Sequence, residues 1–159
     1  MELDDDATIV WNRACQAEVT STSRPGDVAL TNAILFEGLG CNGGIDHAFD
    51  GREALVAAAI AGYEHLGLAD LAQAIRDLRD VRPDETAPDE AFEEFEQMGA
   101  ERFLDREPGH LLQAALAARL LSDRDDFAPI SEVDRARERE WQAFAERLTA
   151  DQDDQPTGD

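Results

Sequence analysis

The stretch from Asp50 to Arg82, DGREALVAAAIAGYEHLGLADLAQAIRDLRDVR, decides the fold class. Leu55, Val56, Ala59, Ile60, Tyr63 and Leu66 recur at steps of three and four, which places them on one stripe of a helix with 3.6 residues per turn. Asp50 with Glu53 reads as a capping box at the start of that helix, and Gly67 stands where it ends. Leu68, Leu71, Ala72, Ile75 and Leu78 then define a second apolar stripe that stops before Pro83. Two such helices joined by one very short turn predict an antiparallel hairpin.

Outward from the hairpin the periodicity stays helical. Upstream, Val28, Leu30, Ile34, Leu35 and Leu39 predict a helix over Asp27 to Leu39, ending in the Gly38-Leu39-Gly40 region. Residues 7–19 read as a weaker helix anchored by Trp11 and Val19, and Thr20 to Gly26 as a linker. A short extended piece over Ile45 to Phe49 is the one strand candidate. Downstream, Asp84 to Asp89 reads as a polar loop, with Pro88 at the first helical position of a segment using Phe92, Phe95, Met98 and Phe103. Pro108 opens a helix through Leu111, Leu112, Ala115, Leu116 and Leu120. Ser131 with Asp134 caps a last one, anchored by Val133, Trp141, Phe144 and Leu148. The reading is an all-α, single-domain bundle of six or seven helices. Residues 1–26 supply an N-terminal helix and linker and 27–121 a helical domain. Residues 122–150 supply a C-terminal helix packed on that domain, and 151–159 a disordered acidic tail. Leu55, Ile60, Tyr63, Leu71, Ile75, Trp141 and Phe144 are the expected core.

Composition restricts the function. The 159 residues carry 36 Asp and Glu against 14 basic residues, all of them Arg, for a net charge of −22. Apolar residues make up 43% of the chain, enough for a core and against wholesale disorder. Such a charge opposes direct binding to nucleic acid or anionic membrane. No apolar run approaches the ~20 residues of a membrane span, and the first residues lack the basic and apolar regions of a signal peptide. Cys15 and Cys41 read as reduced thiols, so a cytoplasmic location is expected. The oligomeric state cannot be read from the chain.

Chemistry-bearing residues are densest from Cys41 to Asp50. As an enzyme site, Cys41 would be the nucleophile, His47 its base and Asp46 or Asp50 the orienting group. A thiolate needs an electropositive setting, and this chain supplies mostly carboxylates. A metal site would use Asp46, His47 and Asp50, with Cys41, but His65 and His110 lie in other helices and complete no spaced ligand set. Gly43-Gly44 lacks the preceding strand and third glycine of a nucleotide-binding loop. No catalytic residue, metal or cofactor is therefore expected.

The same loop carries a resemblance. Asn42-Gly43-Gly44, the apolar Ile45, Phe49, and a helix ending Tyr63-Glu64-His65-Leu66-Gly67 resemble a bacterial family of unknown function. Leu71-Ala72 and Ala74-Ile75 continue the likeness. That family is named for the C-terminal domain of a DNA-mimic protein. The chain departs from its pattern at Ile45, where Phe is usual, at His47, where Gln is common, and at Ala48, which replaces an aromatic. The resemblance covers residues 28–80, and more weakly continues to 121. It implies an all-α fold, no catalysis, and a role in imitating nucleic acid.

Charge placement supplies a matching surface. On a helix, Glu90, Glu94, Glu101 and Asp105 fall on one stripe with Gln97 as its uncharged member, and Asp89, Glu93 and Glu96 form a second row. Asp84 and Glu85 extend the charge into the preceding loop. These carboxylates are the candidate partner-binding residues, with Asn42, Gly43, Gly44 and Phe49 as the family motif. The expected function is a non-enzymatic acidic interaction protein, a DNA mimic for a basic partner such as a DNA-binding regulator. The alternatives are an immunity protein against a cationic toxin, or a domain whose acidity serves only solubility. An enzyme built on Cys41 and His47 ranks last.

Overall fold

In the computed structural model, residues 4–16 and 19–153 are described, and among them there are eight α-helices and no strand. These are α1 (Asp5–Cys15), α2 (Pro25–Gly43), α3 (Ile45–Phe49), α4 (Glu53–His65), α5 (Ala69–Val81), α6 (Asp89–Arg102), α7 (Pro108–Ser122) and α8 (Glu132–Asp153). Single 3-10 turns at Leu104–Arg106 and Arg124–Asp126 flank α7. With α3 only five residues long, the seven longer helices agree with the all-α reading. Contacts divide the chain into two compact units, one ending at Ala128 and the other beginning at Pro129.

The hairpin forms as its sequence dictates. The α4 stripe of Val56, Ala59, Ile60 and Tyr63 is buried, as are Leu71, Ala72, Ile75 and Leu78 of α5, while Leu55 is only half-buried. Gly67 takes φ +80° after the last turn of α4. Its amide donates to the Glu64 carbonyl (3.0 Å) and that of Leu68 to the Tyr63 carbonyl (2.8 Å), which satisfies carbonyls the helix end would leave open. The start of α4 differs from expectation. Its N-cap is Arg52, without a side-chain cap, because the Asp50 carboxylate faces Arg82 instead.

Helix α2 is the central element, packed against α1, α3, α4 and α7. It begins at Pro25 and continues through Gly38-Leu39-Gly40 to Gly43, four residues past the expected stop. Glycine weakens a helix by only about 1 kcal/mol, and tertiary contacts override that. Here Gly40 is buried against Leu104 and Ile45, and the Asn42 amide donates back to the Gly38 carbonyl at 2.7 Å. Where α2 crosses α4, a Cβ on Gly62 would strike the Ala29 carbonyl, so the missing side chain permits the close approach. Edge-to-face aromatic contacts run Tyr63–Phe103–Phe36–Phe49–Phe95, with centroids 5.4–5.9 Å apart, and tie α4, α2, α3 and α6 into one core.

The N-terminal helix belongs to that core rather than to a separate segment. Ala7, Ile9, Val10 and Ala14 are buried, whereas Val19, an expected anchor, is exposed. Residues 17–18 of the expected helix lie outside the described residues. Two buried carboxylates fasten the 123–128 segment. Asp27 accepts from Arg13 (2.6 Å) and from the amides of Arg24 (2.9 Å) and Ala128 (2.7 Å). Asp126 sits between the His65 ring (2.8 Å) and Arg119 (2.9 Å). Every buried side-chain polar atom among the described residues has a partner, as burial requires.

The second unit is built around α8. Ser131 caps it as read: the Asp134 amide donates to the Ser131 hydroxyl (3.2 Å), and the Ser131 amide to the Asp134 carboxylate (2.8 Å). Trp141 and Phe144, expected in the core, are 60% and 44% exposed. The helix also continues through 151–153, so the expected disordered tail begins three residues too early. Residues 154–159 lie outside the described residues.

Candidate interaction surface

No arginine stands between Arg82 and Arg102, while eight carboxylates do. The loop that starts this run is ordered by Asp84, whose carboxylate accepts from the Thr86 hydroxyl (2.6 Å) and amide (2.9 Å). Those bonds, the hydroxyl first, hold the Asp84 carboxyl below its ordinary range. Pro88 is the N-cap of α6, so the helix begins at Asp89, one position later than expected. Asp89 and Glu90 then occupy the first turn, where the helix dipole favours anions.

On α6, Phe95 and Gly99 are buried and Phe92 half-buried, and Asp89, Glu90, Glu93, Glu94 and Glu101 are exposed on the outward side. Asp89 to Glu101 spans about 18 Å at 1.5 Å per residue. Asp89, Glu90, Glu93 and Glu94 make no hydrogen bond or ion pair among the described residues, and Glu101 accepts only from Gln97 (3.1 Å). Arginines before Ala128 are mostly engaged elsewhere: Arg13, Arg24, Arg76, Arg79, Arg82, Arg119 and Arg124 are in ion pairs with other carboxylates. Arg102 and Arg106 line a polar groove of about 400 Å³ against Asp70, Gln73 and Asp77 of α5. The outward carboxylates of α6 are thus clustered and uncompensated.

Two expected members leave the stripe. Asp105 is exposed but sits in the 3-10 turn, because α6 ends at Arg102 and Phe103 (φ −128°, ψ −61°) breaks the register. Glu96 is half-buried and turned inward, its two oxygens accepting from the backbone amides of Ile45 (2.6 Å) and Asp46 (2.9 Å). It caps the N-terminus of α3 from another helix, which is why Ile45 to Phe49 is helical and not extended.

That cap explains the Asn-Gly-Gly motif. Gly44 has φ +87°, a conformation costly for other residues, and a Cβ there would meet the Glu96 carboxylate at 2.6 Å. A Cβ on Gly43 would strike the His47 ring, and one on Gly99 the Ile45 side chain. Phe49 is buried between Phe36 and Phe95. Gly44 and Phe49 therefore form the seat on which α6 is set, while Asn42 and Gly43 pack within the α2–α3 corner itself.

The Cys41–Asp50 chemistry is arranged otherwise than a nucleophilic site needs. Burial, and then the charge of Glu37, push the Cys41 thiol up from its ordinary pKa. Asp46 and Asp50 both face Arg82, at 2.7 and 3.5 Å, and Arg52 donates to the carbonyls of His47 and Asp50. Glu37 escaped the sequence reading altogether. It accepts from the Gly109 amide at the N-terminus of α7, and burial raises its carboxyl against the opposing pull of that amide and of His110. Nothing in the local pattern marks it, since its partner lies 72 residues on. Glu96 carried only a weak signal: at 100° per residue it falls between Phe92 and Asp89, on the border of the buried and exposed sides of α6.

No curated protein and no solved structure matches the chain. Among the described residues no helix is long and apolar enough to cross a membrane. A family model described as DMP19-like protein matches residues 24–107, the stretch that runs from the start of α2 through the motif seat and all of α6. Since that match takes in more than half of its length, the chain belongs to the DMP19-like family.

Proposed function

We propose that this chain is a non-enzymatic, cytoplasmic DNA mimic whose outward α6 face occupies the phosphate-binding groove of a basic protein, such as a DNA-binding regulator. One observation carries the reading: Asp89, Glu90, Glu93, Glu94 and Glu101 stand exposed along one helix face, four of them without a partner among the described residues. Duplex DNA offers about one negative charge per 1.7 Å of axis, and a groove built for it recognises closely spaced anions on a rigid rod. Helix α6 is such a rod, seated by Glu96 and Gly99 and extended by Asp84 and Glu85 in the loop before it. Acidity serving solubility alone predicts no such clustering, because dispersed charges solubilise as well. The same charge repels nucleic acid and anionic membrane, so the partner is a protein.

Capture from a lysate of the source cells at 50 mM and 500 mM NaCl tests this, with the variant Glu90→Gln, Glu93→Gln, Glu94→Gln, Glu101→Gln run alongside. A basic protein should be retained by the wild type at low salt, released at high salt, and lost from the variant. Retention of the same partner by the variant, or recovery of none by the wild type at low salt, overturns the reading.

A further inference from the structure

Two arginines stand apart in the unit that ends at Ala128. Every other arginine there pairs with a carboxylate or, in the case of Arg52, donates to backbone carbonyls. The guanidinium groups of Arg102 and Arg106 have no hydrogen-bond or ion-pair partner among the described residues. That is unexpected at a net charge of −22, and both side chains line the same groove of about 400 Å³. Its other wall is α5, where Asp70, Gln73, Ala74 and Asp77 recur at i, i+3, i+4 and i+7 and so share one stripe. Phe103, fully buried between the end of α6 and the 3-10 turn, anchors the backbone that carries both arginines. Two cations therefore face two carboxylates across a groove, with no ion pair formed between the walls.

We propose that this groove binds a small zwitterion of amino-acid or dipeptide type. Its carboxylate is held by Arg102 and Arg106 and its ammonium by Asp70 and Asp77. A guanidinium presents a planar fork of donors that matches a carboxylate, and an ammonium carries three donors that need acceptors. Those acceptors are free: Asp70 has no partner among the described residues, and Asp77 accepts from the Gln73 amide through Oδ1 only (2.7 Å). Charge selects the ligand class. A simple anion such as phosphate would meet two carboxylates at close range in a strongly anionic chain, and a simple cation would meet two guanidinium groups. A zwitterion satisfies both walls and feels no net repulsion from the rest of the molecule. Of the described lining residues only Ala74 is apolar, so the groove offers little to a hydrophobic ligand. Its volume falls within the ~300–1,000 Å³ of small-molecule sites.

The proposal does not depend on the partner reading, since it uses none of the outward α6 carboxylates. Titration of the ¹⁵N-labelled full chain with L-alanine and with L-alanyl-L-alanine, each to 20 mM in 50 mM NaCl at pH 7, tests it. At least one of the two should shift the amides of residues 70–77 and 102–106 saturably, and the tighter of them tells an amino-acid site from a dipeptide site. The N-acetylated form of that probe, its carboxamide form and inorganic phosphate should each bind at least tenfold more weakly. Arg102→Gln with Arg106→Gln should abolish saturation while the helical circular dichroism stays unchanged. Asp70→Asn with Asp77→Asn should remove the preference for the zwitterion over its acetylated form, a change that a merely structural role would not produce. Absence of saturable shifts at these residues with both zwitterions overturns the proposal. So does equal binding of the acetylated probe or of phosphate by the wild type, or undiminished binding by the double glutamine variant.

Discussion

Glu96 and Glu93 lie one turn apart in sequence and have opposite duties. Glu96 satisfies two backbone amides of α3, so Glu96→Ala leaves both without their acceptor and should cost about 1–3 kcal/mol. Glu93→Gln, on the exposed side, should change stability by no more than about 0.5 kcal/mol. Urea denaturation of the two variants checks the contrast, and equal losses would contradict it. Cys41 gives a chemical counterpart. With its thiol raised by burial and by Glu37, it should alkylate with iodoacetamide more slowly at pH 8 than free cysteine does. Faster labelling would return the Cys41–His47 pair to consideration as a reactive site.

At the scale of elements, the sequence was most informative where structure is local. The α4–α5 hairpin, the turn at Gly67, the start of α7 at Pro108 and the Ser131 cap all follow from residues within a few positions of one another. Readings failed where a distant group decided the outcome. The Gly38–Gly40 pair looked like a stop, yet Leu104 and Ile45 pack on Gly40 and the helix runs on. Ile45 to Phe49 looked extended until Glu96, fifty-one residues beyond Ile45, supplied a cap. Apolar spacing identified the Trp141–Phe144 stripe correctly as a stripe, but spacing does not say whether a face is covered by the same chain. Of the acidic surface, Asp89, Glu90, Glu93, Glu94 and Glu101 were legible as outward neighbours. Glu96 and Asp105 were not, because a two-row sketch ignores both the 100° turn per residue and the place where α6 ends.

For the molecule as a whole, charge and proton linkage set the stability. Crowded carboxylates repel, so the denaturation midpoint should rise between 50 and 500 mM NaCl. Glu37 adds a pH dependence of definite sign. Its folded pKa lies above the ordinary 4.5, so the folded chain binds this proton more tightly than the unfolded chain. The resulting destabilisation is complete above the folded pKa and disappears as the pH falls toward 4.5. Stability should therefore increase from pH 7 to pH 5, and Glu37→Gln, which keeps an acceptor for the Gly109 amide, should flatten part of that increase. Asp84 acts oppositely: its lowered pKa gives a contribution present above 3.8 that is lost on further acidification. A wild type that weakens steadily from pH 7 to pH 5 would show that the half-buried carboxylate of Glu37 is not controlling.

The extent of kinship and the extent of autonomous folding do not coincide in this chain. Residues 24–107 match the family, yet α2 at its centre leans on α1 and α7, which lie outside that stretch. Leu112, Leu116, Phe127 and the Asp27–Ala128 link also come from beyond it. A gene trimmed to the shared stretch would therefore yield an arch without its abutments. Within the shared stretch the keystone is Gly44 against Glu96, and the walls that hold it up come from the chain on either side.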